Sequence, residues 1–587
     1  MPASRSPTHR PRQRHVENAE VARILREVGD LLELEGANVF RIRAYRNAAR
    51  AVEELPEPVE SYLDGGPALT DIPGIGEDLA TKIAEIARTG RLALMRELSR
   101  SAPRGAVDLM HVRGIGPMRA RRLSEALGIH TVKGLLRAAR EGRIRQLRGF
   151  GVKTEEAIVR EISAQASEEH RVLRAVAAQY GDELVAWLRD APDVKQVELA
   201  GSFRRCVETV GDLDALVATD DAPATIRRFL AYPEAAEVLE RGRTRAAIRL
   251  RSGLRIDLRV LAVRSFGAAL HYFTGSKAHN IAVRRMAQAW GLKLNEYGVF
   301  RSKRWIAGRE EREIFDAVGL PWIPPELREN SGELEAAAAG TLPKLLTLEA
   351  IRGDLQSHTT DSDGRDTLQE MAEAAEALGY EYLAVTDHSP AVRVVGGLDS
   401  AGFRKQWRRI DKLNAKLNRI RILRGIEVDI HADGSLDLDA RTLAGFDIVL
   451  ASIHSAFALS REAQTTRLLR AIAHPSVDIL AHPTVRQIGR RASIDLDLER
   501  VLSSAVEAGV WLEVNAQPER LDLDAAACRR AATLGATFVV STDAHSTAEL
   551  RFMRWGVDQA RRGWVEGIHV ANTWPLTRLL RSLRRAL

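Results

Sequence analysis

Two aspartates one residue apart, Asp212 and Asp214, stand directly behind the run GSFRR at 201–205. In a strand their side chains point to the same face, so both carboxylates can grip a divalent cation that in turn holds a triphosphate. Gly201 and Ser202 offer a turn whose backbone N–H groups suit an anion. Arg205 adds a planar, permanently charged guanidinium fitted to phosphate oxygens. A two-metal mechanism needs a third acid, and LRIDLRV at 254–260 supplies Asp257 at the centre of a short alternating strand. An isolated DxD is as often a surface turn. With GSFRR ahead of it, the set reads as a metal-dependent nucleotidyl transfer site.

A second set lies toward the C-terminus. From 351 the chain runs through apolar strands that end in polar residues and lead into helical segments: GDLQSH, YLAVTDH, RILRGIEVDI, FDIVLASIHS, VDILAHP, GVWLEVNA and TFVVSTDAH. Seven such units predict a βα barrel, in which the C-terminal strand ends crowd one mouth. The residues brought together there would be His358, His388, Glu427, His454, His482, Asp543 and His545, with Asp363 beside them. Neutral imidazoles and carboxylates in such a group suit zinc or manganese. Core histidines have no reason to recur at one end of successive strands, whereas solitary ones such as His431 and His569 read as structural.

The elements ahead of these sites are helical. VARILREVGDLLELEG and RAYRNAARAVEEL carry apolar residues at three- and four-residue intervals. A repeat then appears in DIPGIGEDLATKIAEI (71–86), HVRGIGPMRARRLSEAL (111–127) and LRGFGVKTEEAIVREI (147–162): an apolar residue, GxG and a following helix. Paired glycines, Gly74 with Gly76 and Gly114 with Gly116, let backbone approach a phosphate closely, and the helix N-terminus adds exposed N–H donors. In the third copy Phe150 and Glu155 weaken the pattern, which there reads equally as a helix-capping turn. Such contacts hold a nucleic-acid backbone without reading its sequence.

At 587 residues, 45% hydrophobic and 28% charged, the chain is too long for one core and ordinary for a soluble multidomain protein. Its net charge of +7 lies wholly at one end: residues 1–160 hold 28 Lys+Arg against 21 Asp+Glu, and residues 351–587 hold 31 against 31. That confinement points to a polyanion partner for the N-terminal part. Two cysteines far apart, Cys206 and Cys528, argue against a disulfide framework. No long uncharged apolar run suggests a membrane span or leader, and the expectation is a cytoplasmic protein.

The segment from GSFRRCVETVGDLDAL through HYFTGSKAHN (271–280) to LNEYG (294–298) resembles the palm of the family X DNA polymerases, with polymerase beta the nearest pattern. The GxG segments resemble helix-hairpin-helix motifs. The order DLQSHTTDSDG, TDHS, GIEVDI, SIHS, AHP and STDAH resembles the polymerase-and-histidinol-phosphatase (PHP) domain, a metal-dependent phosphoesterase with a distorted barrel.

These resemblances imply a multidomain α/β protein: helical helix-hairpin-helix domains, a nucleotidyltransferase palm with a mixed sheet, and a C-terminal distorted (β/α)7 barrel. The expected boundaries are a basic tail at 1–15, a lyase-like helical domain at 16–100, a second helix-hairpin-helix region at 101–165 and the palm at 166–265. A nucleotide- and template-binding subdomain at 266–325, a linker at 326–350, the PHP domain at 351–575 and a basic tail at 576–587 follow.

The same resemblances imply that Asp212, Asp214 and Asp257 hold Mg2+ while Ser202, Arg205 and Gly211 hold the triphosphate. Tyr272, Phe273 and Gly275 would line the nucleotide, Asn280 reach the base edge and Arg284 face the template. Lys277 stands where the pattern has an acid. Lys82 falls at the Schiff-base lysine that removes 5′-deoxyribose phosphate, although Asp78 one helical turn earlier opposes its deprotonation. Arg41, Tyr45 and Arg46 match positions near the 5′-phosphate pocket. At the barrel mouth the implied chemistry is hydrolysis of DNA with Mn2+ or Zn2+, as 3′-to-5′ exonuclease or abasic-site cleavage.

The first barrel motif departs from the PHP pattern, with Gln356 where a histidine is common. The expected partners are gapped, nicked or abasic DNA and dNTPs, handled by a monomer in DNA repair. Two alternatives stand beside this reading: a hydrolytically inactive barrel that serves as a structural or DNA-binding module, and a template-independent transferase acting on RNA or small molecules.

Overall fold

The computed structural model describes residues 16–583 apart from positions 17, 54, 56–58, 64–67, 73, 103–104, 111, 113–114, 148, 153, 160–170, 192 and 393–395. Gly114 and the basic stretch 1–15 therefore lie outside the described residues. The chain divides into two compact units. One comprises the chain up to Arg171 with Leu230–Leu239 and Ala247–Arg255, and the other comprises Val172–Phe229, Glu240–Ala246 and Ile256–Leu587.

In the first unit, the helices Asn18–Glu35 and Val39–Glu53 pack through stripes three and four residues apart: Val21, Leu25, Val28 and Leu32 against Ile42, Tyr45, Ala49 and Val52. Helix Glu77–Thr89 adds Leu79, Ile83 and Ile86 to that core. It opens in the way the GxG reading requires. Gly74 takes φ +84°, which a side chain would resist, and Gly76 is the extended residue before the first turn. Gly116 repeats this ahead of Pro117–Leu127. The third copy has the same form, with Gly149 at φ +93° and residues 154–159 helical. Its Phe150 is buried in the core, and its Glu155 carboxylate accepts from the backbone and side chain of Arg145.

The second unit contains the palm. Strand Asp212–Thr219 pairs antiparallel with Val194–Leu199 and has Arg255–Leu261 on its other side. Helix Arg174–Arg189 buries Ala177, Leu184 and Leu188. Beyond it, helices Phe266–Thr274 and Lys277–Ala289 and the antiparallel strands Leu292–Asn295, Gly298–Arg301 and Arg304–Ala307 form a separate core around Val283, Leu292, Ile314 and Phe315.

The segment expected as a linker, 326–350, is packed instead. Arg328 is wholly buried and bonds Glu311 at 2.6 Å, Glu333 is buried against His279 at 2.7 Å, and Leu346 joins the barrel core. Leu334, Ala337 and Leu346 supply the apolar anchors that hold it.

The C-terminal part is a seven-stranded parallel sheet in chain order: Gly353–Asp354, Tyr382–Val385, Arg421–Asp429, Ile448–Ser452, Ile479–Leu480, Trp511–Asn515 and Phe538–Ser541. Crossover helices such as Leu368–Ala377, Ser400–Asn414 and Arg461–Ala473 cover its outside, so the strands are buried on both faces and read as apolar runs. First and last strands come together at the Ser357 to Ala544 bridge. Buried Asn572 completes the seam. Its Nδ2 donates to the carbonyls of Gly353 and Val540, both at 2.8 Å, and its Oδ1 accepts from Val540 N at 2.7 Å. The expected tail at 576–587 begins as helix Leu576–Ser582, whose Leu579 is buried with interior strand residues such as Leu423 and Ile479.

Candidate active sites

Strand alternation does what the DxD spacing requires: in Asp212–Thr219, Leu213 turns into the core while Asp212 and Asp214 share the open face. Asp257 alternates with buried Ile256 and Leu258 on the neighbouring strand. The three carboxylates converge closely enough to repel. Burial first, then Asp212 and Asp257, push the Asp214 carboxyl up to about 7, against the opposing pull of Arg259 and Arg205. Gly201 sits at φ +63° with its backbone against this group, and an added Cβ would lie 2.4 Å from Asp214 Oδ2. Ser202 follows in the short helix Gly201–Arg204.

The arginines divide their work. Arg204 bonds Thr274 Oγ1 at 2.8 Å and both oxygens of Glu311, at 2.6 and 2.9 Å, so it is structural. Arg205 donates through Nη1 to the Thr274 carbonyl at 2.6 Å and through Nε to Glu329 at 3.0 Å, which leaves Nη2 outside both bonds. Gly275 lies against Arg205 Nη1, where a Cβ would come within 3.3 Å. Tyr272 is exposed and packs edge-on against Phe273, whose ring also lies 5.3 Å from the Arg259 guanidinium. Asn280 donates to the Tyr272 carbonyl at 2.6 Å. Lys277 is exposed, and Arg284 and Gly211 are half-buried.

In the first unit the expected DNA-end residues separate. Arg41 is exposed, whereas Arg46 is tied to Asp30 at 2.8 Å and Glu33 at 2.5 Å. Tyr45 is only 2% exposed within the helical core, so it supports the surface without presenting its ring. Lys82 Nζ forms an ion pair with exposed Asp78.

The barrel mouth gathers all eight candidate ligands. Donor atoms of His358, Asp363, His388 and His545 lie within 4.8 Å of one another, as do those of His388, Glu427 and His454 and those of His358, Glu427 and Asp543. His482 Nε2 lies 2.9 Å from Glu427 Oε1, and His358 Nε2 lies 3.1 Å from Asp543 Oδ1. The rings of His358 and His545 stack at 4.4 Å. Burial would raise the Glu427 carboxyl, yet His388, His454 and His358 hold it well below the usual range. Burial likewise works against Asp363, which His388 and His545 pull down. Overlapping groups of imidazole nitrogens and carboxylate oxygens fit several borderline divalent ions.

The structure adds residues that the sequence reading missed. Asp429 bonds His454 Nδ1 at 3.2 Å, the carboxylate–imidazole contact that orients a ligand ring. It stands two residues after Glu427, the same alternation signal as in DxD. Asn515 Nδ2 donates to Asp543 Oδ2 at 3.1 Å, and buried Glu513 accepts from His482 N at 2.6 Å. Burial and then Asp543 push the Glu513 carboxyl well above its usual range. For Arg520, burial is outweighed by Asp543 and Glu427, which raise its pKa and so mark a cation near the cluster. Gln356, wholly buried, donates to Asp543 Oδ1 at 3.3 Å.

Family models match four segments of the chain. A family model described as a helix-hairpin-helix domain matches residues 16–92, and a tandem helix-hairpin-helix model matches 106–164. The DNA polymerase beta thumb model matches 269–329, and the PHP domain model matches 354–517. A Bacillus subtilis protein named DNA polymerase/3′-5′ exonuclease PolX is 36% identical over 571 residues, covering 96% of this chain and 99% of that protein. Proteins named probable phosphatases match about a third of this chain. One from Shewanella oneidensis is 31% identical over 219 residues, 35% of this chain and 80% of its own length, and one from Acetivibrio thermocellus is 33% identical over 166 residues, 28% and 64% respectively.

Proposed function

The chain belongs to the family X DNA polymerases that carry a C-terminal PHP domain, and from that premise we propose how its two sites divide the work. It is a DNA polymerase and 3′-to-5′ exonuclease. Our reading of the finer function is that it fills short gaps in repair as a cytoplasmic monomer, taking dNTPs onto gapped or nicked DNA. No helix among the described residues is long and apolar enough to cross a membrane.

The observation that carries the polymerase reading is the convergence of three acids on two strands, with Asp214 raised to about 7. Hard carboxylate oxygens in that arrangement fit Mg2+. Asp212, Asp214 and Asp257 would hold the ions. When bound, the ions supply the charge that stabilises in-line displacement at the α-phosphate. The Gly201 turn, Ser202 and Arg205 hold the triphosphate oxygens, Tyr272 and Phe273 pack the sugar, and Arg284 faces the template.

In the barrel, His358, Asp363, His388, Glu427, His454, His482, Asp543 and His545 would hold Mn2+ or Zn2+, which when bound activates water toward a phosphodiester. Asp429 orients His454, and Arg520 supplies positive charge for the scissile phosphate. Abasic-site cleavage is a second substrate of the same chemistry.

The helix-hairpin-helix turns hold DNA backbone on either side of the gap, and Lys82 serves a 5′-deoxyribose-phosphate lyase step once it is released from Asp78. Gap filling measured with and without a 5′-phosphate tests the substrate reading: a clear preference for the phosphorylated gap is expected, and indifference would reject it. Borohydride trapping that persists in Lys82→Ala would remove the lyase assignment.

A further inference from the structure

The palm hairpin that carries Arg205 leans on the barrel through several charged contacts within the second unit. Arg174 bonds Asp558 at 2.6 Å and the Phe203 carbonyl at 2.9 Å. Glu208 receives Arg486 at 2.6 Å and Gln559 at 2.8 Å. Arg561 pairs with Glu326 at 2.7 Å. Helix Met553–Arg562 ends in the contact closest to the chemistry: Arg562 Nη1 donates to the main-chain carbonyl of Arg205 at 2.6 Å and lies 3.2 Å from Glu329 Oε1. That same carboxylate oxygen accepts from Arg205 Nε at 3.0 Å. The side chains of Arg205, Glu329 and Arg562 are 15%, 33% and 14% exposed, so water screens this triad only in part.

We propose that Arg562, a residue of the exonuclease domain, is a positioning residue for the polymerase reaction, setting through Glu329 the charge and orientation with which Arg205 meets an incoming triphosphate. The inference rests on Arg205 being a triphosphate ligand, as read above. The charge arithmetic fixes its sign. Arg205, Glu329 and Arg562 together carry one net positive charge. Removing Arg562 leaves Arg205 neutralised by Glu329 alone, a pair with nothing to offer a polyanion. Removing the Glu329 charge leaves two guanidiniums facing the phosphates, and removing both restores the single charge. A contact that merely held two domains together would show no such alternation of sign.

The test is steady-state gap filling by the full chain, read as KM for dNTP separately from kcat, with exonuclease activity followed in the same preparations. Arg562→Gln should raise KM about tenfold, the low end of what one charge-assisted hydrogen bond is worth, with exonuclease unchanged. Arg562→Lys should rescue most of it. Glu329→Gln should lower KM, and the double variant Arg562→Gln/Glu329→Gln should return it toward wild type. Arg205→Ala serves as the separate check on the premise: an unchanged KM there rejects the triphosphate role itself. If Arg205→Ala raises KM while Arg562→Gln and Glu329→Gln leave it unchanged or move it in the same direction, the positioning role of Arg562 is overturned and the premise stands.

Discussion

The palm and the barrel mouth each gather acids on neighbouring strands, but they settle the resulting charge in opposite ways. In the palm, burial and then the two neighbouring aspartates outweigh Arg259 and Arg205 and leave the Asp214 carboxyl at about 7. In the barrel, Glu427 touches four imidazoles, those of His358, His388, His454 and His482, and is held well below the usual range. An acid-rich pocket of the first kind is completed only when cations arrive with the substrate. A pocket that already interleaves bases with acids is organised to retain its ions between turnovers.

The largest effect should come from breaking the acid triad. Asp257→Ala should reduce nucleotide incorporation by at least about 10³-fold, because transition-state charge loses its counterion, while exonuclease activity in the same preparation persists. Extension retained at near wild-type rate would sink the assignment of Asp257. The complementary cut is His388→Ala or Asp543→Ala, each of which should suppress 3′-end degradation by about 10²-fold or more with polymerization intact. Wild-type levels of degradation in either variant would return the barrel to the status of a binding module.

A third arrangement in the same unit sharpens the contrast, because there two cations depend on one acid. Glu311 binds Arg204, wholly buried Arg328 and Trp322 Nε1. Burial would raise its carboxyl, but Arg328 and Arg204 pull it far below the usual glutamate value of 4.5. Glu311→Gln would strand two guanidiniums and should cost about 3–5 kcal/mol in chemical denaturation. The sign with pH follows from the depressed pKa. The stabilisation is complete above 4.5 and is lost as pH falls through the folded value, so the gap between wild type and variant should narrow only in acid. A gap that narrows near neutrality would contradict this.

Much of this was legible in sequence because the signals were local. Alternation puts Asp212 with Asp214 on a common face, strand-end position marks the five histidines, and GxG before a helix gives the turns at Gly74 and Gly76. Glu427 and Asp429 carry the same alternation signal, which the sequence reading passed over. What stayed hidden depended on distant partners. Asn572 seals the barrel by bonding Val540 and, across more than two hundred positions of chain, Gly353, and nothing in ANT around it announces this. Arg328 and Glu333 sit in a proline-rich stretch that reads as a linker, yet their burial is set by Glu311 and His279. Tyr45 matches a position near the 5′-phosphate pocket, yet its place four residues before Ala49 on the apolar stripe puts it in the core. The sharing of Glu329 between Arg205 and Arg562 has no sequence signature.

Gln356 offers the smallest and most discriminating change within the barrel. It is wholly buried at the end of the first strand, and its amide nitrogen donates to Asp543 Oδ1 at 3.3 Å, so it supports a ligand from the position where the PHP pattern commonly has one. Its side-chain oxygen is a hard donor, weakly suited to zinc, whereas an imidazole at that point would bring a borderline nitrogen toward the carboxylate shared with His358. Gln356→His should therefore shift the preferred ion from manganese toward zinc and change exonuclease rate at limiting metal by about tenfold, the scale on which groups around a ligand tune affinity. Metal content of the purified protein, measured beside the exonuclease rate across manganese, zinc and magnesium, reads both effects. Identical metal content and an identical rate order in the variant would mean that Gln356 faces Asp543 without facing the ions, and that the barrel's charge balance is complete without that position.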